Sequence, residues 1–381
     1  MELSVSVRLG DFLLSGIAIE RNQRYEIVIA NPPYFKLNKQ APQALAHAYA
    51  VYGQPNIYGL FMAASAKLLE PGGRWCFITP RSWTSGLYFA AVRRHMLAWL
   101  RIDAIHVFES REAHFTDDAI LQEAMVTWAT AQSAPQSEIM VSVSKGVHDL
   151  AGAALKAFPA SRVLGEDKER VISLPLADQE EPANRSETLE SLGLKVSTGP
   201  VVAFRAIQHI RAAKGRNTVP LLWMQHVSRN GVSWPIDKKR EHIEASGDSA
   251  WMLVTNAPMV LMRRFSPKED VRRVTAAAYI GDLPGAQIGL ENHLNYIYRP
   301  DGALDAFEAK GIAAYLNSRR VDVHFRSVAG STQVNAGELR RLPMPTSAQL
   351  REIGRLCTPG MSLSTVDVCV SAMLDRQEIA A

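Results

Sequence analysis

Six residues, Tyr25-Glu26-Ile27-Val28-Ile29-Ala30, run without a turn former straight into Asn31-Pro32-Pro33-Tyr34. A β-branched run that ends at a proline pair predicts a strand buried on both faces, because proline can neither donate to a ladder nor continue a helix. Two prolines in succession also fix the backbone of the loop beyond it. The neighbouring periodicity builds on this strand. Ser4–Val7 is a short alternating run ending at Gly10-Asp11-Phe12. Ile57–Leu69 has helical spacing and is closed by Glu70-Pro71-Gly72-Gly73. Strands are expected at Arg74–Thr79, Ile102–Phe108 and Leu121–Ala129, with a helix over Leu87–Leu100. Strand and helix alternate, which predicts an open, mostly parallel α/β sheet. Such sheets bind ligands beyond the carboxyl ends of their strands, where the Asp11 and Asn31 loops lie.

The 381 residues exceed what one hydrophobic core usually organises, so more than one domain is expected. Residues 1–135 form the expected catalytic domain, 136–190 a connection with short strands near Ile139–Val143 and Val171–Leu174, and 191–381 a mixed, loop-rich α+β domain. Charge follows this division. The first 150 residues are balanced, whereas residues 200–341 carry a clear excess of Lys and Arg, as a surface that meets a polyanion would. No apolar run approaches the length of a membrane span. The N-terminus lacks a signal-peptide pattern, and three scattered cysteines make no disulfide framework, so a cytoplasmic chain without membrane attachment is expected. The histidines show no metal-ligand spacing.

Asn31-Pro32-Pro33-Tyr34 suits one difficult reaction, although Asn-Pro-Pro also makes ordinary turns. The lone pair of an exocyclic or amide nitrogen is delocalised, which makes it a poor nucleophile toward a methyl group. A side-chain oxygen from Asn31 and a backbone carbonyl from Pro32 can take its two hydrogens and draw the nitrogen toward tetrahedral geometry. Such a site needs fixed acceptors rather than a strong base. Tyr34 offers a ring to stack on a planar base.

This motif and its setting resemble the S-adenosylmethionine-dependent amino-group methyltransferases. The likeness is greatest to the N6-adenine DNA methyltransferases of type II restriction–modification systems, in which the cofactor motif precedes the catalytic motif and a recognition domain follows. Gly10-Asp11-Phe12-Leu13, Pro71–Pro80 and His114–Glu123 each resemble a motif of that family. So do Lys195–Arg205, Glu291–Tyr296 and Gly330–Pro343 in the basic half. The resemblance implies a partial Rossmann-like methyltransferase sheet followed by a DNA-recognition domain. It implies that Asp11 and Phe12 contact the adenine of S-adenosylmethionine, and that Tyr34 and Phe115 hold a target adenine rotated out of duplex DNA. No metal is implied, because a sulfonium is already an activated leaving group.

The candidates for DNA contact are Lys238, Lys239, Arg240, Arg263, Arg264, Arg272, Arg273, Arg319, Arg320, Arg340 and Arg341, mostly at phosphates. Gln333 and Asn335 could read adenine edges or simply brace a loop. The family's glycine-rich cofactor loop and ribose-gripping acid precede the Asp-Phe motif, and this sequence starts only a few residues before it. An incomplete cofactor site is therefore expected, with an exposed edge beside the Tyr25–Ala30 strand. Truncation, a misplaced start and a complementing N-terminal chain would each account for it. The alternative to an active enzyme is an inactive or split fragment that binds DNA. Methylation of RNA or of protein glutamine is a more distant reading.

Overall fold

The computed structural model describes residues 5, 7–14, 24–108, 124–131, 136–166, 168–175, 187–238, 240–266, 270–328 and 333–375. It divides into two compact units, Met1–Asp178 and Gln179–Ala381.

The first unit is built on a six-stranded sheet of β1 (Tyr25–Ala30), β2 (Leu69–Pro80), β3 (Leu100–Phe108), β4 (Ala124–Ala131), β5 (Glu138–Ser144) and β6 (Lys156–Pro159), in the order β1-β2-β4-β3-β5-β6. Two of its neighbour pairs are parallel, β1 with β2 and β3 with β5, and the other three are antiparallel. The sheet is thus mixed rather than mostly parallel, because β4 enters between β2 and β3 and opposes both. Helices α1 (Pro42–Ala46), α2 (Ile57–Ser65), α3 (Ala90–Trp99) and α4 (Ala160–Val163) accompany it. Trp75, Phe77, Ile102, Ile105 and Val107 from the sheet meet Tyr58, Leu60, Met62 and Met96 from α2 and α3 in one core.

Several local expectations are corrected. Helix α2 stops at Ser65 and β2 begins at Leu69, so Glu70-Pro71-Gly72-Gly73 lies inside a strand and not in a turn. Between Tyr25↔Leu69 and Ile27↔Arg74 the register slips, and the extra residues bulge outward. Gly73 is needed there, because a Cβ would lie 3.0 Å from the Tyr25 carbonyl oxygen and 2.9 Å from that of Glu70. The second correction concerns β1, which is not buried on both faces. It forms the margin of the sheet among the described residues, with Ile27 60% and Ile29 74% exposed. An apolar groove of about 710 Å³ runs over that face, lined in part by Ile27, Ile29, Cys76, Trp128, Leu150 and Leu155. Of the described residues in the Ser4–Val7 run, Val5 and Val7 are not in a strand, and Ile172 makes only an isolated bridge with Leu164.

The second unit is mixed α+β. A four-stranded sheet joins β15 (Ala276–Tyr279), β14 (Met259–Arg263), β17 (Leu294–Tyr298) and β7 (Lys195–Thr198), and packs with α5 (Ala306–Asn317). A five-stranded sheet holds β13 (Leu253–Thr255), β16 (Gln287–Leu290), β9 (Thr218–Leu222), β12 (His242–Glu244) and β8 (Ile210–Arg211), in that order. The short pair β10 (Val227–Ser228) and β11 (Gly231–Val232) leads into β12. Helices α6 (Arg319–Val328), α7 (Ala336–Arg340), α8 (Ser347–Leu356) and α9 (Leu363–Asp375) complete the unit.

Candidate functional site

Asn31 follows the last residue of β1, where Ala30 pairs with Phe77 of β2. Asn31 is exposed, Pro32 is buried and Tyr34 is half-buried, so the motif presents its amide outward over an anchored proline. Beyond it the chain is pinned to the entry of α2. The Ile57 amide donates to the Phe35 carbonyl at 3.0 Å, the Leu37 amide donates to the Pro55 carbonyl at 2.9 Å, and Lys36 bridges Asn56. The Tyr34 ring packs edge-on to Tyr58 with centroids 5.9 Å apart, and the Tyr58 hydroxyl is 2.8 Å from Ser82 Oγ. Tyr58 and Ser82 are parts of the site that sequence reasoning missed. A tyrosine at an apolar position of a helix reads as ordinary core, and no spacing signal would have singled it out.

The Tyr34 hydroxyl lies 2.5 Å from Asn31 Oδ1 and 3.0 Å from the Ile78 carbonyl of β2. It has one hydrogen and can donate to only one of these acceptors. The 2.5 Å contact has the length of an O–H···O bond, so the hydroxyl donates to Asn31 Oδ1, whose second lone pair remains for another donor. Burial pushes the Tyr34 hydroxyl up to about 12, so it remains protonated at neutral pH.

Asp11 tops a turn in which its Oδ1 accepts from the Leu13 amide at 2.8 Å. Its Oδ2 accepts from Gln43 Nε2 of α1 at 2.6 Å. Phe12 stacks on Phe61 of α2 at 4.9 Å and is half-buried. Phe115 lies outside the described residues, as does Lys239. Among the described residues no group of three His, Cys, Asp or Glu side chains could hold a metal, and no helix is long and apolar enough to cross a membrane.

In the second unit many of the candidate cations are engaged in the fold. Arg263 Nε donates to the Val227 carbonyl at 2.7 Å, and Arg264 donates to the Asn292 carbonyl and toward Gln333. Arg272 pairs with Asp367 at 2.6 Å, and Arg320 pairs with Asp375. Arg273 is only 2% exposed and donates to the Ser266 carbonyl. The Arg319 amide donates to Asp367, and Arg340 donates to the Val196 carbonyl. Asn335 is the N-cap of α7, and its amide donates to Glu338 at 3.0 Å. Arg341 flanks the same helix as its C-cap. Lys238 and Arg240 are different: among the described residues neither has a carboxylate partner, and Lys238 Nζ lies 4.9 Å from the centre of the Trp223 ring.

The sequence profile of the Eco57I restriction-modification methylase family matches residues 10–115. The chain is 34% identical over 339 residues to the type II methyltransferase M.PstI of Providencia stuartii, a match covering 87% of this chain and 67% of the relative. It is 32% identical over 342 residues to the type II methyltransferase M.BsuBI of Bacillus subtilis, covering 87% and 68%. Among solved structures, the type IIL restriction-modification enzyme MmeI in complex with DNA has the same fold over 92% of this chain and 54% of its own, with a TM-score of 0.53 and 11% identity.

Proposed function

The chain belongs to the type II DNA methyltransferases of restriction–modification systems, and within that family we propose that it methylates adenine at N6 in a specific duplex sequence, with S-adenosylmethionine as donor. The observation that carries this reading is the Asn31–Tyr34 loop. It is anchored at the carboxyl end of β1 with an outward amide and an aromatic ring. Asn31 Oδ1 and the Pro32 carbonyl accept the two N6 hydrogens of adenine, which localises the nitrogen lone pair. Tyr34 stacks on the base and also latches Asn31 through its hydroxyl. Phe115 is assigned the opposite face of the base. Two stacked faces, at roughly 1–3 kcal/mol each, offset much of the cost of taking a base out of the helix.

Asp11 and Phe12 suit the adenine of the cofactor, since an exposed carboxylate keeps free lone pairs and a half-exposed aromatic ring stands next to it. When bound, the cofactor supplies a methyl group on an activated sulfonium. Its remaining contacts are assigned to a further segment, either a complementing chain or a preceding stretch, that lies along β1. The edge of β1, unpaired among the described residues, and the apolar groove beside Ile27 and Ile29 support that assignment. Catalysis is assigned to residues 1–135 and DNA recognition to 191–381; of the expected connection 136–190, β5, β6 and α4 belong to the first unit, which runs to Asp178.

The test is transfer of a tritiated methyl group from S-adenosylmethionine to duplex DNA, by the chain alone and with the unmatched third of M.PstI added. Asn31→Ala is expected to lose at least ~10²-fold of the rate that wild type shows, the usual cost of removing one preorganised polar contact at a reacting atom. Unchanged transfer by Asn31→Ala contradicts the assigned chemistry.

A further inference from the structure

The loop between β11 and β12, residues 233–240, carries Lys238, Lys239 and Arg240. A surface loop with three consecutive cations is ordinarily mobile, because like charges repel and nothing fixes the backbone. This one is organised around a buried acid. Glu241 is 4% exposed, and its carboxylate accepts from His226 Nε2 at 2.6 Å and from the Ile236 amide at 2.9 Å. The Lys238 backbone N–H also favours the charged form of the same carboxylate. The backbone is gripped as well. Trp234 Nε1 donates to the Glu241 carbonyl at 3.1 Å, and Trp223 Nε1 donates to the Arg240 carbonyl at 2.9 Å.

His226 is fully enclosed and its own orientation is fixed. Its Nδ1 accepts the Trp223 amide hydrogen at 2.8 Å, which places the imidazole proton on Nε2, facing Glu241. The grip holds backbone conformations that a free loop would leave. Asp237 and Arg240 have φ of +54° and +72°, a region that arginine seldom enters. The charge of Glu241 is met by hydrogen bonds at the loop's root, while Lys238 and Arg240 above it have no acidic partner among the described residues. This contrasts with Arg272, Arg273 and Arg320, which are engaged by the fold.

We propose that Glu241 and His226 are positioning residues for DNA recognition: they hold the described residues of the loop, 233–238 and 240, so that Lys238 and Arg240 meet the phosphate backbone as a preformed pair. This rests on the reading that the second unit binds duplex DNA. The energetic logic is preorganisation. Ordering the loop during folding removes that cost from binding, so its cations act at full strength on phosphates.

The experiment measures binding of the full chain to a fluorescein-labelled duplex of mixed sequence, by anisotropy across a series of KCl concentrations. Lys238→Ala/Arg240→Ala should lower the slope of log Kobs against log salt by about two, and weaken binding tenfold or more at ~0.1 M KCl. Glu241→Gln keeps both cations but sets an amide N–H2 against the donors of the loop, and should weaken binding several-fold. Added to the double substitution it should cost nothing further, which a general loss of stability would not produce. His226→Gln retains a donor and an acceptor and should bind better than His226→Ala; this comparison replaces Glu241→Gln if that variant does not fold. Wild-type affinity and slope in Lys238→Ala/Arg240→Ala, or additive losses with Glu241→Gln, overturn the proposal while leaving DNA binding by the unit intact. Absence of salt-dependent binding by the wild-type chain removes the parent reading itself.

Discussion

Asn31 and Tyr34 divide the proposed work of the site between an acceptor and the group that aims it, and the two can be separated by substitution. Tyr34→Phe keeps the ring and deletes the hydroxyl that lies 2.5 Å from Asn31 and 3.0 Å from Ile78. One hydrogen bond of ordinary worth, about 1 kcal/mol, predicts roughly a fivefold fall in kcat with little change in KM for DNA. Tyr34→Ala also removes the stacking surface and should raise KM for DNA as well. Equal effects of the two substitutions in steady-state assays would show that the latch contributes nothing. The pH response has a definite sign. Burial raises the Tyr34 hydroxyl from 10.0 to about 12, so the folded protein favours its neutral form. That contribution is complete below the ordinary tyrosine value and is lost as pH rises toward about 12. A kcat profile should therefore show no Tyr34-dependent falling limb below pH ~10, and wild type and Tyr34→Phe should run parallel up to that point.

Elements rather than single side chains explain which parts of the fold are legible in the sequence. β1 is legible as a strand, though not in its exposure, because a β-branched run stops at two prolines. Asn31 is legible as the residue that follows the strand's end; the contacts with β2 and α2 that hold the loop are not. The bulge at Glu70–Gly73 is hidden, because Pro-Gly-Gly marks a turn and a bulge alike; the choice depends on how close β1 comes to Gly73. The second unit is less legible still. Its strands are two to five residues long, too short to show a period, and its polar anchors pair across distance in sequence, as Arg299 does with Glu308 and His226 with Glu241. Its helix packing carries a clear prediction. α5 and α8 touch through paired glycines: a Cβ on Gly311 would lie 1.7 Å from the Leu350 carbonyl oxygen, and one on Gly354 would lie 1.8 Å from that of Phe307. Gly311→Ala or Gly354→Ala should cost about 1–3 kcal/mol or more in urea titration, as backbone must move to admit a methyl group. An unchanged midpoint would show that the helices separate freely. Glu241 gives a second test of this kind. Burial pushes its carboxyl up, but the Ile236 amide and His226 outweigh burial and hold it below the usual value. Its stabilisation is thus present above the ordinary carboxylate range and lost as pH falls. Acid unfolding should be steeper in wild type than in Glu241→Gln below pH ~4.

At the scale of the whole molecule, each unit has its own core, and the chain spans about two thirds of the length of its type II relatives. The first unit leaves an apolar sheet face beside β1, where Ile27 and Ile29 are exposed instead of packed. Ile27→Asp/Ile29→Asp should lower the thermal unfolding midpoint only modestly, because both side chains are more than half exposed and the cost is mainly the low strand propensity of Asp. The same pair should abolish any stimulation of methyl transfer by an added cofactor-binding segment; stimulation that survives would place that segment elsewhere. Above these tests stands the identity of the methylated atom. Duplex DNA labelled by the chain, with its cofactor segment supplied if required, can be digested to nucleosides and resolved by chromatography. The label is expected in N6-methyl-2′-deoxyadenosine and is expected to be lost in Asn31→Ala. Label in a methylated deoxycytidine, or in N6-methyl-2′-deoxyadenosine at equal yield from Asn31→Ala, would overturn the assigned chemistry.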